Sequence, residues 1–337
     1  MSIERMNLLT IRFRKKEDEI MKKTLISLAL ALVLLCSAVA LAEYPDKPIT
    51  LYCGYSAGGS SDLLCRILAA KLQEKIGQTI VVEDKTGGGG WVLWTEMIKN
   101  VEPDGYTFCL INTPNYSLGM YDATNPREYA YDALDCLCNE VSDYNVIAIR
   151  ADENRYTDFQ SLVEYAQTHE LLYGSSANGI MSDDGTIGER LNMEMGCQLF
   201  PVTTSGAKDN ETFLLNKSAD VLIGNISDVL TGMNAGTFKV VCVFAPERVE
   251  LIPDVPTCIE MGGTIVGSSD RGYALPKGVD PAIREKLYNA LVEAINDPET
   301  IKQLEDIGAA TNFVPQEEYA AFIEKNIATA KAAYGIE

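Results

Sequence analysis

Histidine is nearly absent from this chain of 337 residues, which contains only His169. A serine hydrolase needs a nucleophile, a base and a group that orients the base, and no Gly-x-Ser-x-Gly elbow accompanies this one histidine. His169 lies in the segment AQTHE, where we expect a solvated position near the end of a helix. The adjacent carboxylates Asp183 and Asp184 are also expected on a solvated face, because sequence neighbours usually diverge. We therefore predict that the protein is not an enzyme.

Nucleotide-binding signatures are missing as well. In the segment GYSAGGSSD, Ser60-Ser61-Asp62 follows the glycine pair, whereas a Walker loop requires Gly-Lys-Ser/Thr there. In the run Gly87 to Gly90 no third glycine completes a dinucleotide fingerprint, because Val92 occupies its place. We therefore expect no nucleotide and no other cofactor.

Basic residues are few compared with acidic ones: 28 Lys and Arg stand against 48 Asp and Glu, for a net charge of −20. Without the first 42 residues, the remaining 295 carry 21 basic and 44 acidic side chains, a net charge of −23. Such a surface repels nucleic acid and anionic lipid, so we expect neither as a partner.

The N-terminal region has the pattern of an export signal. Met21-Lys22-Lys23 is followed by an apolar stretch over Leu25 to Leu35, which is shorter than the roughly 20 residues of a membrane span. Ala40-Leu41-Ala42 then supplies a small-x-small cleavage site, so the mature chain is expected to begin near Glu43 in the periplasm. Residues 1–20 are interpreted as an upstream extension from a misplaced start.

Nine cysteines occur in no repeating framework. Cys36 lies within the export signal, but bulky Leu35 precedes it where a lipid anchor requires a small residue, so we expect no anchor. Four of the others lie in apolar runs and are interpreted as small buried hydrophobes: Cys53, Cys65, Cys109 and Cys242. Cys136-Leu-Cys138 has no partners for a metal site, and we predict none. The number and spacing of the cysteines leave the redox state open.

The mature sequence alternates strands with helices. Ile49 to Cys53 is a predicted strand, residues 54–61 form a loop, and a helix follows from Asp62. Thr79 to Val82 and Tyr106 to Ile111 continue the pattern. This alternation predicts a parallel sheet covered on both faces.

A second block begins near Asn145 with the predicted strand NVIAIR. Thr157-x-x-Gln160 is interpreted as a capping box that opens a helix. Further strands are predicted within residues 171–179, 219–225 and 239–245. The chain then ends in three helices, which begin at Asp280-Pro281, at Asp297-Pro298 and at Gln316.

Three small-residue loops, 54–61, 84–90 and 174–179, follow predicted strands. In open α/β sheets ligands bind at this edge, and helix N-termini favour anions there. Because the loops fall in two blocks, we expect a carboxylate to bind between two domains, held by neutral donors.

The segment that begins YPDKPITLYCGYSAGGSSD, together with PDGYTF, LLYGSSANG and IPDVPT, resembles the solute-binding components of tripartite tricarboxylate transporters (TctC-like or Bug proteins). This resemblance covers essentially the whole mature chain. It implies a type II periplasmic-binding-protein fold with two doubly wound α/β domains and an interdomain ligand cleft. By this reading residues 1–42 are removed, 43–144 with 267–337 form domain 1, and 145–266 form domain 2.

The resemblance also implies the function and the site. A small organic acid or amino acid is captured by domain closure and delivered to the permease subunits of the transporter, by a protein expected to be monomeric. The same fold used as a periplasmic sensor for a membrane receptor kinase is the alternative. The implied ligand-binding residues are Tyr55, Ser56, Gly58, Gly59, Ser60, Ser61, Asn112, Tyr116, Ser175, Ser176, Asn178, Gly179, Thr204, Ser205 and Asn225.

Some positions depart from the family pattern or leave alternatives open. Ala57 replaces a proline, and Thr204-Ser205-Gly206 replaces an aromatic-lysine-glycine segment, which suggests a smaller or less charged ligand. Trp91 and Trp94 share a helical face, which is typical of a core, although Trp91 could also reach the cleft. Arg271 is either a partner of a second ligand carboxylate or a solvated or hinge-pairing residue.

Overall fold

The computed structural model describes residues 44–121, 126–175 and 182–334. The predicted export signal, Cys36 and the expected ligand residues Ser176, Asn178 and Gly179 lie outside the described residues. Among the helices within these ranges, none combines the length and apolarity that a membrane crossing requires.

The element order is α/β throughout. The strands are β1 (Ile49–Cys53), β2 (Ile80–Asp84), β3 (Thr107–Thr113), β4 (Leu134–Arg150), β5 (Leu171–Ser175), β6 (Leu199–Thr203), β7 (Leu222–Asn225), β8 (Phe238–Val243), β9 (Ser268–Pro276) and β10 (Thr311–Val314). The helices are α1 (Ser60–Ile76), α2 (Trp91–Lys99), α3 (Asn115–Leu118), α4 (Phe159–Ala166), α5 (Asp183–Met195), α6 (Ala207–Leu215), α7 (Ile226–Asn234), α8 (Pro281–Ile295), α9 (Pro298–Asp306) and α10 (Gln316–Tyr334).

The first lobe is built on a mixed sheet in the order β10-β4-β9-β3-β1-β2. β1 runs parallel to β2 and β3, as the alternating pattern predicts. The expectation of a wholly parallel sheet is wrong, however, because β9 pairs antiparallel with both β3 and β4. β9 returns from the second half of the chain, so local alternation of strands and helices carries no information on its direction.

The second lobe is built on β5 to β8 together with the last part of β4. β7 and β8 both pair antiparallel with this part of β4, while β5 and β6 form a parallel pair. β4 is therefore a 17-residue strand that serves both lobes. The sequence indicated its second part alone, beginning at Asn145. The predicted domain limits at 144 and 267 stay predictions.

Each lobe has its own apolar core. In the first lobe Trp91, Trp94 and Tyr116 pack together, with the rings of Trp91 and Tyr116 stacked at 5.6 Å between centroids. Both indoles are satisfied, since Trp91 Nε1 donates to Asn115 O at 3.0 Å and Trp94 Nε1 to Leu110 O at 2.9 Å. Both tryptophans are thus core residues, as their shared helical face predicts.

The eight cysteines of the described residues are free thiols, and all but Cys136 are buried. Their burial confirms the interpretation as small hydrophobes in the core. His169 is exposed just beyond α4, where its ring stacks on Tyr165 at 4.0 Å between centroids. This is the solvated position that the sequence predicts.

The cap of α4 lies one residue later than the sequence suggests. Asp158 is the N-cap, and its Oδ1 accepts from the backbone N–H of Ser161 at 2.8 Å. The hydroxyl of Ser161 in turn accepts from the N–H of Asp158 at 3.2 Å. The capping box is therefore formed by Asp158 and Ser161, and the prediction of Thr157 and Gln160 is wrong.

Asp158→Ala is expected to lower the free energy of unfolding by about 1 kcal/mol, because the first turn of α4 loses its side-chain acceptor. Thr157→Ala is the matched control and should change it by less than about 0.5 kcal/mol. Urea unfolding of both variants measures the difference. Equal effects at the two positions would contradict the assignment of the cap.

Candidate functional site

The loop before α1 and the loop before α6 meet between the two lobes. A Cβ atom added to Gly206 would lie 3.0 Å from Ser56 Oγ and 3.5 Å from Tyr55 Cβ, and one added to Gly59 would lie 3.7 Å from Ala207 Cβ. A cavity of about 30 Å³ lies at this junction. The two lobes are therefore in contact around a small cavity that is partly open to solvent.

Four helices begin at this cavity. Its lining includes Gly59, Ser60 and Ser61 at the start of α1, Asp183 and Asp184 of α5, Gly206 and Ala207 before and in α6, and Gly224, Asn225 and Asp228 at the start of α7. The first backbone N–H groups of a helix have no partner within it, and the helix dipole adds partial positive charge there. Neutral donors for an anion are thus supplied by both lobes.

Arg271 is the one arginine that lines the cavity within the described residues. It comes from β9 and is only 2% exposed. Its Nη2 donates to Asn225 Oδ1 at 2.7 Å, and its Nη1 donates to Asp143 Oδ2 at 3.4 Å. Of the two alternatives, the structure shows a buried arginine that pairs with Asp143.

Asp183 and Asp184 also line the cavity, so the expectation that they lie on a solvated face is wrong. Asp183 Oδ2 accepts from the side-chain amides of Asn145 at 3.0 Å and Asn225 at 3.1 Å. Asp184 Oδ1 accepts from Ser175 Oγ at 3.1 Å. Burial, followed by the charge of Asp183, raises the pKa of Asp184 above its ordinary value.

Asp228 is the third carboxylate of the cavity. Its Oδ2 accepts from the backbone N–H of Asn225 at 2.9 Å, which caps the start of α7. Its Oδ1 is buried and has no hydrogen-bond partner in the described part of the chain. Burial raises the pKa of Asp228, although the charge of Arg271 opposes this shift.

A hydrogen-bonded chain joins the two lobes beside the cavity. Asn115 Nδ2 donates to Tyr55 Oη at 3.0 Å, and Asn115 Oδ1 accepts from the backbone N–H of Asp183 at 3.1 Å. Tyr55 Oη donates to Gly89 O at 3.2 Å. Burial, followed by the charge of Asp183, raises the pKa of Tyr55 well above its ordinary value, so the phenol stays neutral.

The structure brings six of the predicted ligand residues to the cavity lining: Tyr55, Gly59, Ser60, Ser61, Asn112 and Asn225. Two others support it from behind. Ser175 donates to Asp184, and Thr204 Oγ1 donates to Asn210 Oδ1 at 2.6 Å, itself a lining residue.

The other described residues of the prediction do not line the cavity. Ser56 is half-buried opposite Gly206, Gly58 and Ser205 are exposed, and Tyr116 is buried in the aromatic core. Tyr116 Oη accepts from the N–H of Leu134 at 3.1 Å, which directs the hydroxyl into the protein.

Three of the lining residues that sequence reasoning missed are acidic. Asp183, Asp184 and Asp228 occupy first-turn positions of α5 and α7, where carboxylates are common as capping groups. Because this capping role is common, their positions in the sequence do not mark them as cavity residues. The cavity contains no cluster of three or more His, Cys, Asp or Glu suited to a metal, and neither does the rest of the described chain.

The fold and the cavity define the class: this is a two-lobed protein of the type II periplasmic-binding-protein kind. Residues 64–334 match the family model described as "Tripartite tricarboxylate transporter family receptor" (TctC), and the chain belongs to this family. The match confirms the resemblance found in the sequence.

Known proteins agree with this membership. A relative from Cupriavidus necator, named "UPF0065 protein in gbd 5'region", is 28% identical over 306 residues, which covers 90% of this chain and 91% of the relative. A solved structure described as a periplasmic transporter is 26% identical, with a TM-score of 0.80 over 87% of this chain and 97% of that one. MatC from Rhodopseudomonas palustris, solved with bound malate, shares the fold at 22% identity, with a TM-score of 0.77 over 87% of this chain and 100% of that one.

Proposed function

We propose that the protein is an exported receptor that captures a small carboxylated solute between its lobes and delivers it to the membrane permease of a tripartite tricarboxylate transporter. It acts as a monomer after removal of residues 1–42, and it binds its ligand without converting it. The malate in MatC shows that this fold accommodates a carboxylate in at least one structural neighbour.

The observation that carries the proposal is the meeting of helix N-termini from both lobes, those of α1 and α6, with Arg271 at one cavity. Backbone N–H groups at helix starts and a guanidinium are the donors that carboxylates prefer. Because both lobes contribute them, a ligand that bridges the lobes stabilises the closed form. A permease that recognises this form receives only loaded receptor.

Closure depends on Gly206, whose backbone has φ 139° and ψ −170°, a region that essentially only glycine adopts. Gly206→Ala would also place Cβ 3.0 Å from Ser56 Oγ across the cleft. We expect the variant to favour the open form, with a larger radius of gyration in small-angle X-ray scattering and at least about tenfold weaker ligand binding.

Gly236→Ala is the matched control for this prediction. Gly236 also has a positive φ, 70°, but no atom lies within 4 Å of its added Cβ. This variant should lose about 1 kcal/mol of stability without a change in the radius of gyration. A Gly206 variant as closed as the Gly236 variant would contradict the role of this contact.

A thermal-unfolding screen of the purified protein against organic acids and amino acids tests the proposed function. A ligand at about 100 times its dissociation constant adds about 2.7 kcal/mol to the free energy of unfolding. Mass spectrometry should recover the ligand unchanged and should find the mature N-terminus near Glu43. A folded protein that responds to no carboxylate, or that converts its ligand, would refute the proposal.

A further inference from the structure

The charges around the cavity do not balance. Three carboxylates line it, those of Asp183, Asp184 and Asp228, against one guanidinium, that of Arg271. Arg271 is already paired with Asp143 behind the cavity wall. A ligand that carries only carboxylates would add negative charge to a cavity that already has more carboxylates than guanidinium groups. Repulsion between like charges in one small cavity disfavours the binding of such a ligand.

Two of the carboxylates are placed to receive a ligand donor. Asp228 Oδ2 is satisfied, whereas its buried Oδ1 accepts no well-formed hydrogen bond in the described part of the chain, and the Ser60 hydroxyl is the polar side-chain group near this carboxylate. Asp183 is held by the amides of Asn145 and Asn225 on one oxygen and remains 8% exposed. A buried carboxylate oxygen without a partner is costly unless a ligand supplies one.

An independent observation supports an anion in the same cavity. Arg271 is 2% exposed, and its Nε has no hydrogen-bond partner among the described residues. Nη1 and Nη2 are already used by Asp143 and Asn225, so Nε is the N–H group left to donate to a carboxylate oxygen. An unused donor and an unused acceptor, both belonging to charged groups, therefore line one small space.

The helix N-termini at the cavity differ in whether a carboxylate of the same helix lies beside them. α5 carries Asp183 and Asp184 in its first turn and α7 carries Asp228, so their own carboxylates offset the dipoles at the cavity. The first-turn acids of α1 and α6, Asp62 and Asp209, do not line the cavity. An anion at the starts of α1 and α6 therefore meets no lining carboxylate from those helices, unlike one at the starts of α5 and α7.

We infer that the ligand is a compact amino acid, with its ammonium group at Asp183 and Asp228 and its carboxylate at the starts of α1 and α6 beside Arg271. This inference rests on the proposed receptor function and names the class of its ligand. The cavity at this junction is small, about 30 Å³, which favours a ligand with a short side chain.

The acids could serve a different purpose if they were protonated, because a neutral carboxyl donates a hydrogen bond to a ligand carboxylate. The two arrangements respond differently to pH. Ammonium binding requires ionised acids and does not weaken as pH rises, whereas donation by neutral carboxyls weakens as these groups ionise.

Calorimetric titration with matched ligands tests the inference. The pairs are alanine with lactate, aspartate with malate, and 4-aminobutyrate with 4-hydroxybutyrate, and putrescine serves as an amine without a carboxylate. We expect the amino member of at least one pair to bind at least about tenfold more tightly than its hydroxy partner at pH 8. Putrescine should not bind measurably.

Asp228→Asn and Asp183→Asn should each remove most of this preference by weakening the amino member about 30-fold while leaving the hydroxy member unchanged or tighter. Asp209→Asn is the matched control, because Asp209 holds the same third position in α6 as Asp228 in α7 but lies outside the cavity lining. Its preference should equal that of the unaltered protein.

The outcomes separate the inference from the function on which it rests. Hydroxy acids that bind as tightly as amino acids, or more tightly at pH 5.5 than at pH 8, overturn the inference and leave the carboxylate receptor intact. If only putrescine binds, or if the folded protein binds none of these ligands, the receptor function and the inference are both overturned. The comparison of amino acids with their hydroxy partners in the unaltered protein tests the inference even if a variant fails to fold.

Discussion

Arg271→Met is expected to lower the free energy of unfolding by about 3 to 5 kcal/mol and to abolish ligand binding. The substitution leaves the carboxylate of Asp143 fully buried without its cationic partner, which is the costly way to break a buried pair. Burial already raises the pKa of Asp143 to about 7 even though Arg271 opposes the shift. Without the guanidinium this pKa rises further, so the loss of stability should be largest above pH 8 and should shrink toward pH 5.

The double variant Asp143→Asn with Arg271→Met should recover part of the loss, because no charge then remains buried there. Arg284→Met is the matched control, since Arg284 pairs with Asp135 nearer the surface and its side chain is 20% exposed. That variant should lose only about 1 kcal/mol or less. Urea unfolding at pH 5, 7 and 9 measures all four proteins. Equal losses of unfolding free energy in the Arg271 and Arg284 variants would show that burial does not strengthen the contribution of the Arg271–Asp143 pair.

Glu140→Gln is expected to stabilise the protein at pH 9 by several kcal/mol, on the order of 3 to 5, and to change little at pH 4. Glu140 is fully buried in β4, where Tyr273 Oη donates to its Oε2 at 2.5 Å and its Oε1 has no partner in the described residues. Burial raises its pKa to about 8 from an ordinary value of 4.5, and the bond from Tyr273 opposes the shift.

The direction of this pH dependence follows from the number of protons that the folded and the unfolded protein bind. Between pH 4.5 and about 8 the folded protein retains a proton on Glu140 that the unfolded chain releases, so stability falls as pH rises through this window. Glutamine carries no such proton, and its variant should lose that part of the pH dependence. Glu285→Gln, at an exposed position of α8, should leave the profile unchanged. A Glu140 variant with the original pH profile of the unfolding midpoint in urea would contradict the assignment.

Local pattern in the sequence predicted most elements, since each depends on near neighbours. β1 is predicted to the residue, and the helix from Asp280-Pro281 has the expected cap, with Asp280 accepting from the N–H of Ala282 at 2.9 Å. The direction of β9 and the first half of β4 escaped prediction, because pairing between segments more than 100 residues apart leaves no periodic signal in either one.

In the candidate site, too, features that depend on local sequence were predictable, and features that depend on distant partners were not. The glycine and serine loop before α1 was predictable, because a strand that ends in small residues before a helix is typical of an anion site. Asp183 and Asp184 were misjudged because first-turn carboxylates usually face water. Their partners come from distant parts of the chain: Asn145 and Asn225 bond to Asp183, and Asn210 bonds to Asp184. Arg271 stayed open for a similar reason, since its partner Asp143 is 128 residues away.

The position of β9 has a consequence for how the chain is made. β9 lies between β3 and β4 at the centre of the first lobe's sheet, yet it is synthesised after the whole second lobe. Until Ser268–Pro276 leaves the ribosome, the facing edges of β3 and β4 have no strand to bridge them, and open strand edges promote aggregation. The first lobe therefore joins the two halves of its sheet late in synthesis, and we expect a nascent chain that stops short of β9 to be prone to aggregation.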